Sequence, residues 1–204
     1  MIDIEVYSSA LANCVNEDSC GFRHIAKDTI VVAVADGMGG LSCGDVASKL
    51  SVDVILDYCE THYNELCDET LLTSAMVQAN KEIAAQSIHC HARMGASVAV
   101  AIITDTRCIF SWLGDVRIYH LRKNKIKQLT TDHVADGCDS TLLTRCINGR
   151  DFRFPIEVKS LEFKPEDTIQ IATDGYYRHN TIAYEIAKPI KTFDDDATII
   201  NIRL

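Results

Sequence analysis

Thr29 to Ala35 reads TIVVAVA. The apolar, β-branched run is too short for a typical helix and shows no polar alternation, so it predicts a strand buried in the core. It runs straight into Asp36-Gly37-Met38-Gly39-Gly40, which sets a carboxylate at the end of a rigid element beside a pliant turn. After it, Asp45 to about Tyr63 has helical spacing, with Val46, Leu50, Val54 and Ile55 on one face. Glu69 to about Ser87 repeats that spacing through Leu72, Met76, Ala79 and Ile83. Before it, Ile2 to Tyr7 alternates as an exposed or edge strand does.

Beyond the helices the period changes to two. Strands are expected at Ser97 to Ile103, Cys108 to Leu113, Val116 to Leu121 and Lys125 to Leu129, with Lys123-Asn124 as a hairpin turn. Three more follow at Glu157 to Leu161, Thr168 to Ala172 and Ala197 to Ile202. Runs of strands around one pair of helices predict an α+β fold rather than an alternating parallel one. The 204 residues suit a single domain, 1–204, with no repeat and no linker.

A net charge of -9 leaves no basic footprint for nucleic acid and disfavours an anionic membrane surface. No apolar run reaches membrane-spanning length. Met1 to Asp18 lacks a basic-then-apolar leader. The nine cysteines include no C-x-x-C and are read as free thiols in a reducing, cytoplasmic setting. His89-Cys90-His91 is too cramped for a tetrahedral zinc site. Cys146 and Arg150 are too close in sequence for a thiol phosphatase loop.

Three acids follow apolar strands directly: Asp36, Asp115 and Asp174. Glu17-Asp18 and Asp194-Asp195-Asp196 flank the ends of the core. Carboxylates on strand ends can converge with fixed geometry, and hard cations such as Mg²⁺ and Mn²⁺ take oxygen ligands while keeping several waters. Each Asp-Gly is also, by itself, a plain turn signal.

Taken in order, NED, DGMGG, MGAS, GDVR, TTDH, TDG and DDAT resemble the PPM family of metal-dependent protein phosphatases (protein phosphatase 2C type), particularly its compact bacterial branch. The match runs from Glu17 to Thr198. The resemblance implies an α-β-β-α sandwich of two antiparallel sheets, each covered by a helix pair, and a centre of two Mn²⁺ or Mg²⁺ ions at one edge. It implies hydrolysis of phosphoserine or phosphothreonine in proteins by a metal-bridging hydroxide, in opposition to a serine/threonine kinase, by a monomer. It implies catalytic roles for Asp36, Asp174 and Asp195. Asp36 would bridge both ions, the Gly37 carbonyl would bind one, and Asp174 and Asp195 the other. Glu17 and Asp18 would hold metal-bound waters, and Asp115 would serve a third, weaker ion. Arg117 would tie down the Asp115 turn.

The chain departs from that pattern in four places. Asn13 stands where most members have an arginine that grips the substrate phosphate, and a neutral amide is a poor substitute. Arg23 is the nearest arginine in sequence. Asn13 also motivates a second reading, a catalytically weak module that binds phosphoproteins. Met38 follows Asp36-Gly37, as in bacterial members, where many eukaryotic ones have histidine. Asp196 replaces the usual Asn. Only about twenty residues separate Asp174 from Asp195, which predicts a shortened C-terminal helical layer, limited to Tyr184 to Lys191 and cut by Pro189. Trp112 and His133 are read as packing residues. Arg122, Lys123, Lys125 and Lys127 are read as a solvated hairpin.

Overall fold

The computed structural model describes residues 2–38, 43–123, 125–136, 142–186 and 195–203. Ten strands form two five-stranded sheets. The first sheet contains β1 (Asp3–Ser9), β10 (Ala197–Arg203), β9 (Thr168–Ala172), β6 (Arg117–Arg122) and β7 (Lys125–Gln128), in that spatial order. The second contains β2 (Asp18–Ala26), β3 (Thr29–Gly37), β4 (Ala96–Ile103), β5 (Arg107–Leu113) and β8 (Val158–Glu162). Every pairing is antiparallel. The helices α1 (Gly44–His62) and α2 (Asp68–His89) pack together on the second sheet, and one short turn of helix, α3 (Asp174–Tyr177), follows β9.

The unbroken apolar run that opened the sequence reading has its cause in these layers. In β3, Ile30, Val32 and Val34 face the first sheet, where they share a core with its Ile118, Ile171, Ile200 and Ile202 and with Phe110 and Trp112 of the neighbouring strand β5. Val31, Ala33 and Ala35 face the helices, against Ile55, Leu56, Leu72, Met76 and Ile83. A strand covered on both sides has no solvent face on which to place polar residues.

Two elements differ from expectation. The strand β2 was not foreseen. Its sequence, DSCGFRHIA, is an edge strand whose residues are mostly half-exposed, so neither a continuous apolar run nor clean alternation marks it. On the outer face of the first sheet, the described residues contain no helix pair. That face is covered by α3 and an irregular segment, with Tyr176, Tyr177, Ile182, Tyr184 and Ile186 packed on Tyr119, Leu121, Ala172 and Ile199. Tyr184 to Ile186, the start of the expected helix, is not helical. The rest of that expectation, including Pro189 and Lys191, lies outside the described residues, as do Gly39, Gly40, Asn124 and Asp194.

Polar side chains hold the irregular segment in place of helix packing. Gln170 Nε2 donates to the Ala183 carbonyl at 2.7 Å, and Asn201 Nδ2 donates to the Tyr184 carbonyl at 3.2 Å. Trp112 and His133 are packing residues: their rings stack 5.6 Å apart, and Trp112 Nε1 donates to the Thr131 carbonyl. Burial, chiefly, lowers the His133 pKa to about 4, so the ring is neutral near pH 7. In the basic hairpin Arg122 is bound to Asp167, while the strand that follows is exposed throughout.

Candidate metal centre

Strand ends deliver each carboxylate. Asp18 opens β2 and Asp36 lies at the end of β3, and the antiparallel register sets them opposite each other. Ser97 stands opposite Asp36 on the other side. Its hydroxyl accepts the backbone N–H groups of Asp115 (2.8 Å) and Val116 (2.9 Å), which pins the β5–β6 turn to the same edge. Asp174 begins α3 just after β9, and Asp195 lies just before β10. Thr173 joins the two sheets. It accepts the Thr198 N–H at 2.9 Å and donates its hydroxyl proton to Asp18 at 2.8 Å.

The glycines after Asp36 and Asp174 are required by close backbone approach. A Cβ on Gly37 would fall 2.2 Å from the Gly44 carbonyl oxygen, and one on Gly175 would fall 2.0 Å from that of Asp196. These Asp-Gly pairs are therefore more than turn signals, because no other residue fits.

Asp36, Asp115, Asp174 and Asp195 line one cleft of about 960 Å³. Asp18 does not line it and is 8% exposed. Glu17 does not line it either: its carboxyl group lies against Gly44, the first residue of α1. Burial raises the pKa of Asp18 from 3.8 to about 7, partly opposed by the Thr173 hydroxyl and reinforced by Asp196 and Asp174. Burial raises Asp36 well above the usual range, with Asp18, Asp174, Asp115 and Asp195 adding repulsion. Asp115, Asp195 and Glu17 are raised too, first by burial and then mainly by neighbouring carboxylates.

Buried carboxylates that repel one another call for positive charge from outside the chain. The donor set is all oxygen, which suits hard divalent cations. Among the described residues no three His, Cys, Asp or Glu side chains close on a single point.

Residues 7–196 match the family profile described as protein phosphatase 2C. The chain belongs to the protein phosphatase 2C family. The serine/threonine phosphatase stp of Listeria innocua is 38% identical over 182 residues, covering 78% of this chain and 71% of its own length. The stp of Listeria monocytogenes is 28% identical over 207 residues, covering 90% and 82%. In fold, the chain is similar to the serine/threonine phosphatase PstP/Ppp of Mycobacterium tuberculosis, with a TM-score of 0.79 and 20% identity across 100% of this chain and 98% of that one. A structure of the PstP catalytic domain in complex with two manganese ions gives a TM-score of 0.79 at 21% identity, covering 99% and 97%.

Several features of this protein phosphatase 2C chain stand apart from the sequence expectations. Asn13 is exposed, has φ 65°, and does not line the cleft. Arg23 cannot replace the missing arginine, because its side chain faces Asp57 and Glu60 on α1. The cleft has its own arginines, Arg93, Arg150 and Arg178. Arg178 Nη1 lies 2.8 Å from Asp174 Oδ2. The i,i+4 spacing from Asp174 could have revealed it, had a helix been expected after Thr173. Loops bring in Arg93 and Arg150, and no local pattern announces them. Arg117 grips Asp132 through Nε and Nη2 and stacks 3.8 Å over the Tyr177 ring, whose hydroxyl donates to the Asp115 carbonyl. Asp196 accepts the Leu11 and Glu17 N–H groups, one on each oxygen and each at 2.6 Å.

Proposed function

We propose that this chain hydrolyses phosphoserine and phosphothreonine in proteins with two Mn²⁺ or Mg²⁺ ions held by its cleft carboxylates. The observation that carries the reading is the convergence of Asp36, Asp115, Asp174 and Asp195 from both sheets on one cleft. In this reading Asp36 bridges the ions, the Gly37 carbonyl serves one, and Asp174 and Asp195 serve the other. Glu17 and Asp18 act through water, and Asp115 serves a third, weaker site. When bound, such ions neutralise phosphoryl oxygens and make water nucleophilic near neutral pH.

The protein's own work is positioning. Thr173 fixes the Asp18 carboxylate, Ser97 fixes the Asp115 turn, and Arg117 with Tyr177 braces that turn from the other side. Arg178 is the cleft arginine already in contact with a site carboxylate, and it takes the phosphate contact that Asn13 does not make. The convergence of carboxylates on the cleft favours the enzyme over the weak binding module, as do relatives named as phosphatases. Opposition to a serine/threonine kinase in the cytoplasm belongs to the same reading. It is supported by eight free thiols among the described residues. No helix among the described residues is long and apolar enough to cross a membrane.

The test is a Mn²⁺ titration of p-nitrophenyl phosphate and phosphothreonine-peptide turnover. Activity is expected to rise with Mn²⁺, to vanish in EDTA, and to fall by about 100-fold or more in Asp36→Asn. Turnover that persists without metal would refute the reading.

A further inference from the structure

The chain holds ten arginines and ten lysines, and their distribution is uneven. Beside the carboxylate cleft lies a smaller pocket of about 370 Å³, which shares Leu143, Cys146, Asn148 and Arg150 with it. Arg93, Arg145, Arg150, Arg153 and Arg178 line one or both, and among the described residues no lysine does, while the smaller pocket is lined by three arginines against one acid, Asp151. Of these five, Arg145 pairs with Glu157 (3.7 Å) and Arg178 with Asp174 (2.8 Å), and the other five arginines, Arg23, Arg107, Arg117, Arg122 and Arg203, are each paired with acids too. Among the described residues, the guanidinium groups of Arg93, Arg150 and Arg153 have neither an ion pair nor a hydrogen bond, and all three residues are exposed. Unpaired guanidiniums gathered at one place in a chain of net charge -9 call for anions from outside it.

The pocket wall is fixed. Asn80 of α2, 8% exposed, accepts the N–H groups of Asn148 (3.1 Å) and Gly149 (2.8 Å) and donates to the Arg150 carbonyl at 2.8 Å. Gly149, at φ 77°, packs so closely on α2 that a Cβ would fall 2.8 Å from Ala84 Cα. Arg145 bonds the Pro155 carbonyl and lies 5.8 Å from the ring of Phe154, which is 62% exposed. A rigid backbone thus presents two unpaired arginines, Arg150 and Arg153, beside an exposed aromatic ring. Arginine suits this task because its planar fork pairs with carboxylates and phosphates.

We propose that this pocket is a docking groove for acidic residues flanking the phosphorylated serine or threonine, so that the chain selects phosphoproteins in which Asp or Glu lies near the phosphosite. The inference rests on the phosphatase reading. An extended polypeptide with its phosphoresidue in the carboxylate cleft would pass Arg150, which borders both cavities, and lay its acidic side chains against Arg150 and Arg153.

Two measurements test it. In the first, the Mn²⁺-loaded protein acts on matched phosphothreonine peptides with Glu and Asp, or Gln and Asn, around the phosphosite. The acidic peptide is expected to have a kcat/KM roughly three- to tenfold higher at low salt, a preference that fades as ionic strength rises. In R150Q/R153Q the ratio should fall to about one, while R153Q hydrolyses p-nitrophenyl phosphate at the wild-type rate. In the second, anisotropy follows a fluorescein-labelled, unphosphorylated acidic peptide in metal-free buffer. Binding should weaken about fivefold or more in R150Q/R153Q, with an unchanged melting temperature. Equal turnover of both peptides, or a preference that survives R150Q/R153Q, overturns the groove. Failure to hydrolyse p-nitrophenyl phosphate with any metal refutes the phosphatase reading instead, and the anisotropy still decides the groove.

Discussion

Arg178 poses a conflict at the scale of a single residue. Its guanidinium pairs with Asp174, the carboxylate proposed to bind an ion, so cation and arginine compete for the same oxygens. Arg178→Ala should therefore bind Mn²⁺ several-fold more tightly, because a like charge leaves the site. The same variant should raise KM for phosphopeptides about tenfold, through loss of a charge-assisted contact. Calorimetry of Mn²⁺ binding beside steady-state kinetics separates the two effects. Looser metal binding together with an unchanged KM would show that Arg178 only braces Asp174. The arginine itself is plain in the sequence. Its partner is not, because that depends on a single helical turn after Thr173.

Among elements, the clearest coupling runs through Asp196. It stands at the entrance to β10 and clasps the loop between β1 and β2 by the Leu11 and Glu17 N–H groups. An asparagine, usual in the family, has one acceptor oxygen and would turn its amide N–H toward the second donor. Asp196→Asn should cost about 1–2 kcal/mol, measured as a loss of denaturant midpoint with unchanged slope. Helices α1 and α2 and nine of the ten strands were legible, through helical spacing, through unbroken apolar runs in doubly covered strands such as β3, or through period-two composition as in the exposed β7; the single turn α3 was not. The edge strand β2 and the irregular cover of the first sheet were not, since half-exposed backbone carries no such period. Likewise Asp36, Asp115, Asp174 and Asp195 were readable as acids that follow or precede strands. The cleft arginines were not, because only tertiary packing of loops brings them there.

For the molecule as a whole, the carboxylate cluster is a pH-dependent burden. Asp18 has a folded pKa of about 7 against 3.8 for an ordinary Asp, so the folded chain holds that proton more tightly. Without metal, stability is therefore lost as pH rises from about 4 through 7. The raised values of Asp36, Asp115 and Asp195 act in the same direction. His133, lowered to about 4, acts in the opposite direction below pH 6.5, but with one proton against several. The melting temperature of the metal-free chain should fall between pH 5 and pH 7.5. Mn²⁺ should raise it, and by more at the higher pH. A Mn²⁺ increment that does not grow with pH would count against the cluster as the ion site.

The strand order of the first sheet bears on how the protein is made. β10 lies between β1 and β9, so the first described strand pairs with the last. Until Ala197–Arg203 has emerged from the ribosome, β1 has no neighbour and one edge of β9 stays open. Asp195 and Asp196 are among the last residues to emerge before that strand, so the cleft and the clasp on Glu17 both await it. A nascent chain thus cannot complete the carboxylate cleft until β10 has emerged. Until then its unpaired strand edges are open to pairing with other chains.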